Sequence, residues 1–193
     1  MKKIGLTGGI GAGKTFIAEI FQKLGYTIFS SDYYAKKCMQ ESEELKIQIC
    51  KVFGNEIYEK GRLQKKKLAN IVFLDSKKLQ ELNNLVHPFV HIAFDEWLIK
   101  QDSEYVIKEA AILFEGGANK GLDAVICVSS PMELRIKRVM ERDKCSRERV
   151  MKRMAMQMPQ ETKEKLSDFV IVNTENEKIL PQILSICKKI ELL

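Results

Sequence analysis

The sequence predicts a three-layer α/β/α protein, with helices on both faces of a five-stranded parallel sheet. Three observations carry that expectation. Short apolar runs able to form buried strands recur at 3–7, 27–31, 105–107, 123–129 and 169–173, separated by stretches of helical spacing. The run at 123–129, Asp-Ala-Val-Ile-Cys-Val-Ser, is apolar enough for a sheet covered on both faces. The first run leads at once into Gly8-Gly9-Ile10-Gly11-Ala12-Gly13-Lys14-Thr15, a match to G-x-x-x-x-G-K-S/T, and then into a helix. Strand, glycine loop and helix in that order make a P-loop NTPase fold, here with a helical insertion and a helical lid.

The loop chemistry follows from its residue types. Glycines let the backbone take positive φ and let a phosphate approach without a Cβ in the way. The N–H groups around Gly8, Gly9, Gly11, Ala12 and Gly13 then form an anion cradle, strengthened by the positive end of the next helix. Lys14 is expected on the β/γ-phosphates of ATP, and the Thr15 hydroxyl on Mg²⁺. Ile17, Ile20, Phe21 and Leu24 make the apolar stripe of the helix, and Gly25 ends it.

The second strand, Thr27–Ser31, is followed by Asp32. Residues just beyond strand C-termini line the ligand crevice of open α/β sheets, so Asp32 is a candidate catalytic group. It equally suits the N-cap of a helix over 33–39. Residues 40–101 read as a helical insertion broken near Gly54 and Lys60-Gly61. The only histidines, His87 and His91, flank Pro88 there. Their spacing suits a metal pair extended by Asp95, but a helix starting at His87-Pro88 explains them better.

Tyr105–Ile107 supplies the third strand and ends in Lys108-Glu109. A strand-end acid suits Mg²⁺ binding, which makes Glu109 a metal candidate. Ser130-Pro131 opens a helix with Arg135, Arg138 and Arg142 on one face, and a second short helix carries Arg147, Arg149 and Arg153. Acids to pair with them look too few, so this segment is expected to be a mobile arginine lid that closes on the transferring phosphate. Asn173 ends the fifth strand, and a last helix over about 175–190 carries Ile179, Ile183, Ile186, Cys187 and Ile190. The expected organisation is one domain. Its core spans about 1–39, 102–130 and 166–193, its insertion about 40–101 and its lid about 131–165.

The net charge of +6 lies in one place: residues 135–153 hold nine basic and three acidic residues, and the rest holds 23 of each. One basic patch favours a compact polyanionic ligand over a nucleic-acid track. Five widely spaced cysteines without a C-x-x-C pair read as reduced thiols. No apolar run has membrane-span length, and no signal-peptide h-region is read ahead of the first strand, so neither a span nor a signal peptide is expected. A cytoplasmic monomer binding neither membrane nor nucleic acid is expected.

A GTPase would need N-K-x-D, but Asn119-Lys120-Gly121-Leu122 has leucine in the last place. A motor or transporter ATPase is usually longer and carries a recognisable hydrolysis apparatus. A small kinase remains, and the residues alone leave its acceptor open between nucleosides, nucleotides and related alcohols. A basic nucleic-acid-binding protein with a vestigial ATP loop is the alternative from another class.

Across almost its whole length the sequence resembles the dephospho-CoA kinase family. Leu6–Lys14 is similar to the family's loop, and Asp32 falls on the second acid of its D-x-D. His87-Pro88, Leu113-Phe114-Glu115, Arg138-x-x-x-Arg142-Asp143, Arg153, Gln157 and Ser167–Asn173 match further motifs in order. The resemblance implies transfer of the ATP γ-phosphate to the ribose 3′-hydroxyl of dephospho-CoA, giving coenzyme A and ADP. It implies Asp32 as base, with Lys14, Mg²⁺, Arg138 and Arg142 neutralising the phosphate. It also implies His87, Leu113 and Glu115 at the acceptor, Phe16 beside the nucleotide and Asn173 near the adenine. Ser30, Glu109 and Ala111 depart from the family's first D-x-D acid and from the Asp and Pro of its D-x-P. Phe16 stands where a second hydroxyl often follows the loop.

Overall fold

A computed structural model describes residues 1–72 and 75–192 of the chain. β1 (Lys2–Thr7) runs through the glycine loop into α1 (Lys14–Lys23), and β2 (Thr27–Ser30) follows. Next come α2 (Ser31–Glu41), α3 (Glu43–Phe53), β3 (Tyr58–Glu59), β4 (Arg62–Leu63), α4 (Lys65–Val72) and α5 (Ser76–Leu98). The chain then forms β5 (Tyr105–Glu109), β6 (Ala124–Ser129), α6 (Met132–Asp143), α7 (Arg147–Ala155), α8 (Gln160–Lys165), β7 (Phe169–Val172) and α9 (Ile179–Glu191). Two compact units result: Met1–Ser30 with Asp102–Leu193, and Ser31–Gln101.

The first unit is built on a parallel sheet of order β2-β5-β1-β6-β7. All five strands anticipated from the apolar runs are present, and helices flank the sheet as the predicted α/β/α class requires. One face carries Ile4, Leu6, Ile107, Ile126, Val128 and Ile171 against Ile17 and Phe21 of α1 and Ile183, Ile186 and Ile190 of α9. The other face packs Val125 against Ala110 and Leu113 of the turn after β5, with α8 fastened beside them. β1 lies between β5 and β6, so the loop leaves the sheet at its middle. α9 begins at Ile179 rather than near residue 175. Pro181 then falls in the first turn, where a missing N–H breaks no helical bond.

In the second unit α2 already begins at Ser31, so Asp32 is a first-turn residue and not an N-cap. Residues 31–39, expected with the core, belong to this unit because α2 packs along α5. The Cys38 thiol, for example, reaches the Phe89 carbonyl at 3.8 Å. A two-stranded hairpin, absent from the sequence reading, turns at Lys60-Gly61 with both residues at positive φ.

The expected helix start at His87-Pro88 is incorrect: α5 runs 23 residues straight through Pro88. Its cap is Asp75, whose carboxylate accepts from the Lys77 and Lys78 amides at 2.8 and 3.3 Å. Leu82, Val86, Val90 and Phe94 form one buried stripe across the proline. Packing along that stripe outweighs the single helical bond that Pro88 removes, and Pro88 itself faces solvent.

Candidate active site

The site begins where β1 ends. Gly8 and Gly13 hold φ of 146° and 94°, values that side chains disfavour. A Cβ on Gly8 would strike the Val128 carbonyl, and one on Gly13 the Asn173 carboxamide. The glycines therefore let the loop sit tightly on the protein behind it, a reason for them that the phosphate-approach reading did not include. Lys14, the first residue of α1, is buried, and its ammonium donates to Gly8 O at 3.0 Å and Gly9 O at 3.4 Å. No side chain caps α1, and no acid lies in its first turn. The amides and dipole at that end, with a lysine added, call for an anion. Thr15 and Phe16 follow, both exposed.

Three carboxamides brace the loop. The Gly9 amide donates to Gln160 Oε1 at 2.8 Å, and the Ile10 amide to Gln157 Oε1 at 2.9 Å. Asn173 Nδ2 donates to Ala12 O at 2.8 Å. Asn173, expected near a nucleotide base, is in this structure a buried strut of the loop.

The arginines of α6 separate into three environments. Arg135 is buried, pushed below its usual pKa by loss of hydration, and approaches Gln160 Oε1 at 3.5 Å. Arg138 donates to Ser130 Oγ at 3.3 Å and to Asn173 O at 3.4 Å, which brings it to the loop. Arg142 is exposed and grips Asp143 at 2.7 and 3.1 Å, while Arg153 reaches the same carboxylate at 2.6 Å. Those two guanidiniums hold the Asp143 pKa down at about 2. Arg147 makes two 2.6 Å bonds to Glu133. The expectation that acids were too few to pair with the arginines is thus corrected. Glu133 lies just outside the basic run, and Asp143 serves two arginines.

At the strand ends, Glu109 is buried and accepts from Ser30 Oγ at 2.9 Å. The structure thus joins two of the positions that depart from the family pattern. Thr15 hydroxyl and Glu109 carboxylate are hard oxygen donors, the kind Mg²⁺ takes. Asp32 is exposed, two residues beyond β2 in the chain, in the second unit. His87 is half-buried within α5.

Two residues expected at the acceptor make protein contacts in this structure. Leu113 is fully buried in the cluster with Ala110 and Val125. Glu115 pairs with the Lys163 ammonium at 2.7 Å and accepts the Met158 amide at 2.9 Å. Lys163, wholly buried, also donates to Ala111 O at 2.6 Å. Sequence reasoning missed Lys163 and Gln160 because Gln-Glu-Thr-Lys-Glu-Lys has no apolar stripe and reads as a solvated charged turn. The one available signal was Pro159, which opens a helix there.

The family model and the curated relatives name the same family. The dephospho-CoA kinase family model matches residues 2–178. A dephospho-CoA kinase of Bacteroides fragilis is 35% identical over 95% of this chain and 90% of its own length. One from Fusobacterium nucleatum is 34% identical over 97% of both. Among solved structures, a Thermus thermophilus protein superposes with a TM-score of 0.84, at 34% identity over 100% of this chain and 98% of its own. A dephospho-CoA kinase from Campylobacter jejuni gives 0.69 at 31% identity, covering 98% of each chain.

Proposed function

Because this chain belongs to the dephospho-CoA kinase family, it is a phosphotransferase acting on dephospho-CoA, and we propose that it moves the γ-phosphate of ATP to the ribose 3′-hydroxyl with Mg²⁺. The observation that carries the phosphate end of this reading is the uncapped N-terminus of α1, with the Lys14 ammonium folded over Gly8 O at 3.0 Å. Lys14 is already desolvated and aimed at the loop, so little reorganisation separates it from a β/γ-phosphate. Magnesium ion, when bound, neutralises phosphate charge. Thr15 and Glu109 are the residues that would hold it, Glu109 with its carboxylate steadied by Ser30.

Asp32 orients the acceptor hydroxyl and takes its proton as the phosphoryl group departs from ADP. Arg138 supplies positive charge beside the loop. Arg142 joins it only by exchanging Asp143 for the phosphate, which gives the lid a ligand-dependent step. The unit Ser31–Gln101 serves as the acceptor-binding region, with His87 as a contact. The enzyme works as a cytoplasmic monomer without nucleic-acid or membrane partners. Ion pairs that neutralise part of the basic run weigh against a nucleic-acid track there. No described helix is long and apolar enough to cross a membrane.

The deciding assay gives purified protein ATP and Mg²⁺ with dephospho-CoA beside a panel of nucleosides and nucleotides. Coenzyme A should form with dephospho-CoA. Turnover of another acceptor without coenzyme A would overturn the assignment. A steep, salt-dependent affinity for duplex or single strands would instead favour the nucleic-acid reading.

A further inference from the structure

The opening of the phosphate loop is held by a residue to which the reaction assigns no role. Gln160 is buried at the start of α8, and its carboxamide has a partner on every side. Its oxygen accepts from the Gly9 amide at 2.8 Å. Its nitrogen, with two N–H groups to give, faces three acceptors: Glu164 Oε1 at 3.0 Å, Val128 O at 3.2 Å and Cys127 Sγ at 3.3 Å. We infer that Gln160 is a positioning residue for nucleotide binding, one that sets the loop's opening peptide and, through it, the Lys14 ammonium. This rests on the kinase reading of the same loop.

The orientation of that carboxamide is chemically enforced. The oxygen side faces N–H donors, Gly9 and more distantly Arg135 Nη1 at 3.5 Å. The nitrogen side faces a carboxylate, a carbonyl and a sulfur, all acceptors. Turning it over would set donor against donor at Gly9 and acceptor against acceptor at Glu164 and Val128. A buried amide cannot be left unpaired without cost, so Gly9 follows wherever Gln160 is held.

Gly9 is also the residue whose carbonyl Lys14 approaches at 3.4 Å, while the preceding carbonyl, Gly8 O, holds the ammonium at 3.0 Å. The same short stretch of backbone therefore carries both the Gln160 contact and the Lys14 contact. Gln157 takes the next amide, Ile10, in the same way. With Gly9 and Ile10 donating to protein oxygens, the anion falls to the amides nearer α1. Displacements of about an ångström at such a cradle are enough to change rates by roughly a hundredfold. α8 has an independent fastening in the Lys163–Glu115 pair, so the Gln160 bond ends on the loop rather than merely securing the helix.

The test compares four proteins: parent, Gln160→Leu, Gln160→Glu, and Gln160→Glu with Glu164→Gln. For each, KM for ATP, KM for dephospho-CoA and calorimetric affinity for a non-hydrolysable ATP analogue with Mg²⁺ are measured below the melting temperature. Gln160→Leu should weaken ATP and the analogue about tenfold and leave the acceptor KM within about threefold. Gln160→Glu keeps an oxygen for Gly9 but sets a carboxylate against Glu164. Adding Glu164→Gln restores a donor there while Val128 O still faces a carboxylate oxygen, so nucleotide affinity should recover part of the way, to at least about threefold tighter than Gln160→Glu alone. A Leu variant that melts lower yet binds nucleotide like the parent overturns the inference, as does a folded double variant no better than Gln160→Glu. If the Leu variant fails to fold, the Glu pair decides. A parent that binds the analogue but makes no coenzyme A would sink the function assignment and leave the loop result to be judged by calorimetry.

Discussion

Replacing Lys163 with methionine tests the strongest tertiary claim about the site's support. The side chain is wholly buried, with its ammonium 2.7 Å from Glu115 Oε1 and 2.6 Å from Ala111 O. Methionine fills nearly the same volume, so the cavity contribution is small and the loss is electrostatic. Removing one partner of a fully buried pair costs about 3–5 kcal/mol. Glu115 keeps 23% side-chain exposure and the Met158 amide, so its stranded charge is partly solvated and that share falls to about 2 kcal/mol. The unpaired Ala111 carbonyl adds about 1 kcal/mol. The sum, about 3 kcal/mol, corresponds to a melting temperature lower by roughly 6–12 °C for a chain of this size. The assay is thermal unfolding by far-UV circular dichroism together with hydrogen exchange over 110–172. The only tryptophan, Trp97, lies in the other unit, so its fluorescence is not the probe to use. Adding Glu115→Gln should recover about half the loss by removing the stranded charge while leaving an acceptor for Met158. A shift of under about 2 °C would refute the claim that this pair holds the segment down.

Other outcomes follow from the same structure. Asp32→Asn should lower kcat by about 10²–10⁴ with ATP affinity unchanged, and parental turnover would remove Asp32 from the chemistry. Lys14→Ala should impair both nucleotide affinity and transfer, checked by calorimetry and initial rates; unchanged ATP kinetics would contradict the loop assignment. Ser30→Ala deletes the 2.9 Å bond to Glu109 and should raise the Mg²⁺ concentration for half-maximal rate several-fold, read from a magnesium titration. Asp143 has its pKa lowered in the folded state to about 2, so its stabilisation is present above the unfolded value near 4 and is lost as pH falls towards 2. At its partly exposed position that is worth about 1 kcal/mol. Melting curves of the parent and Asp143→Asn should differ at neutral pH and converge in that acid window.

The parts of the fold legible in the sequence are those written locally. A parallel strand covered on both faces needs a continuous apolar run, as β6 has, and the other four strands each carry a shorter apolar run that marks them. The loop is a contiguous motif between a strand and an amphipathic helix, so nothing distant is required to recognise it. The failures have the opposite character. Pro88 reads locally as a boundary, yet the stripe from Leu82 to Phe94 decides the matter through packing. Lys60-Gly61 makes a hairpin without the Asn-Gly or Asp-Gly that would announce it. Glu133 neutralises Arg147 from 14 positions away, two residues ahead of the basic run itself. Lys163 and Gln160 look like solvated residues because most of their partners, Glu115, Ala111, Gly9 and Val128 among them, are remote in the chain.

The departures at Ser30 and Glu109 illustrate how two local anomalies can have one spatial cause. Taken singly, the loss of an acid from β2 and the extra methylene on β5 each look like damage to a metal-binding edge. Ser30 and Glu109 are register partners on adjacent strands, and the hydroxyl donates directly to the longer carboxylate. Two carboxylates side by side there would repel one another, and each buried charge would need its own donors. One carboxyl group with a hydroxyl donor keeps a hydrogen-bonded oxygen there without that repulsion, and the longer side chain reaches the neighbouring strand. The pair thus gathers two departures from the family pattern into one hydrogen bond between register partners on neighbouring strands.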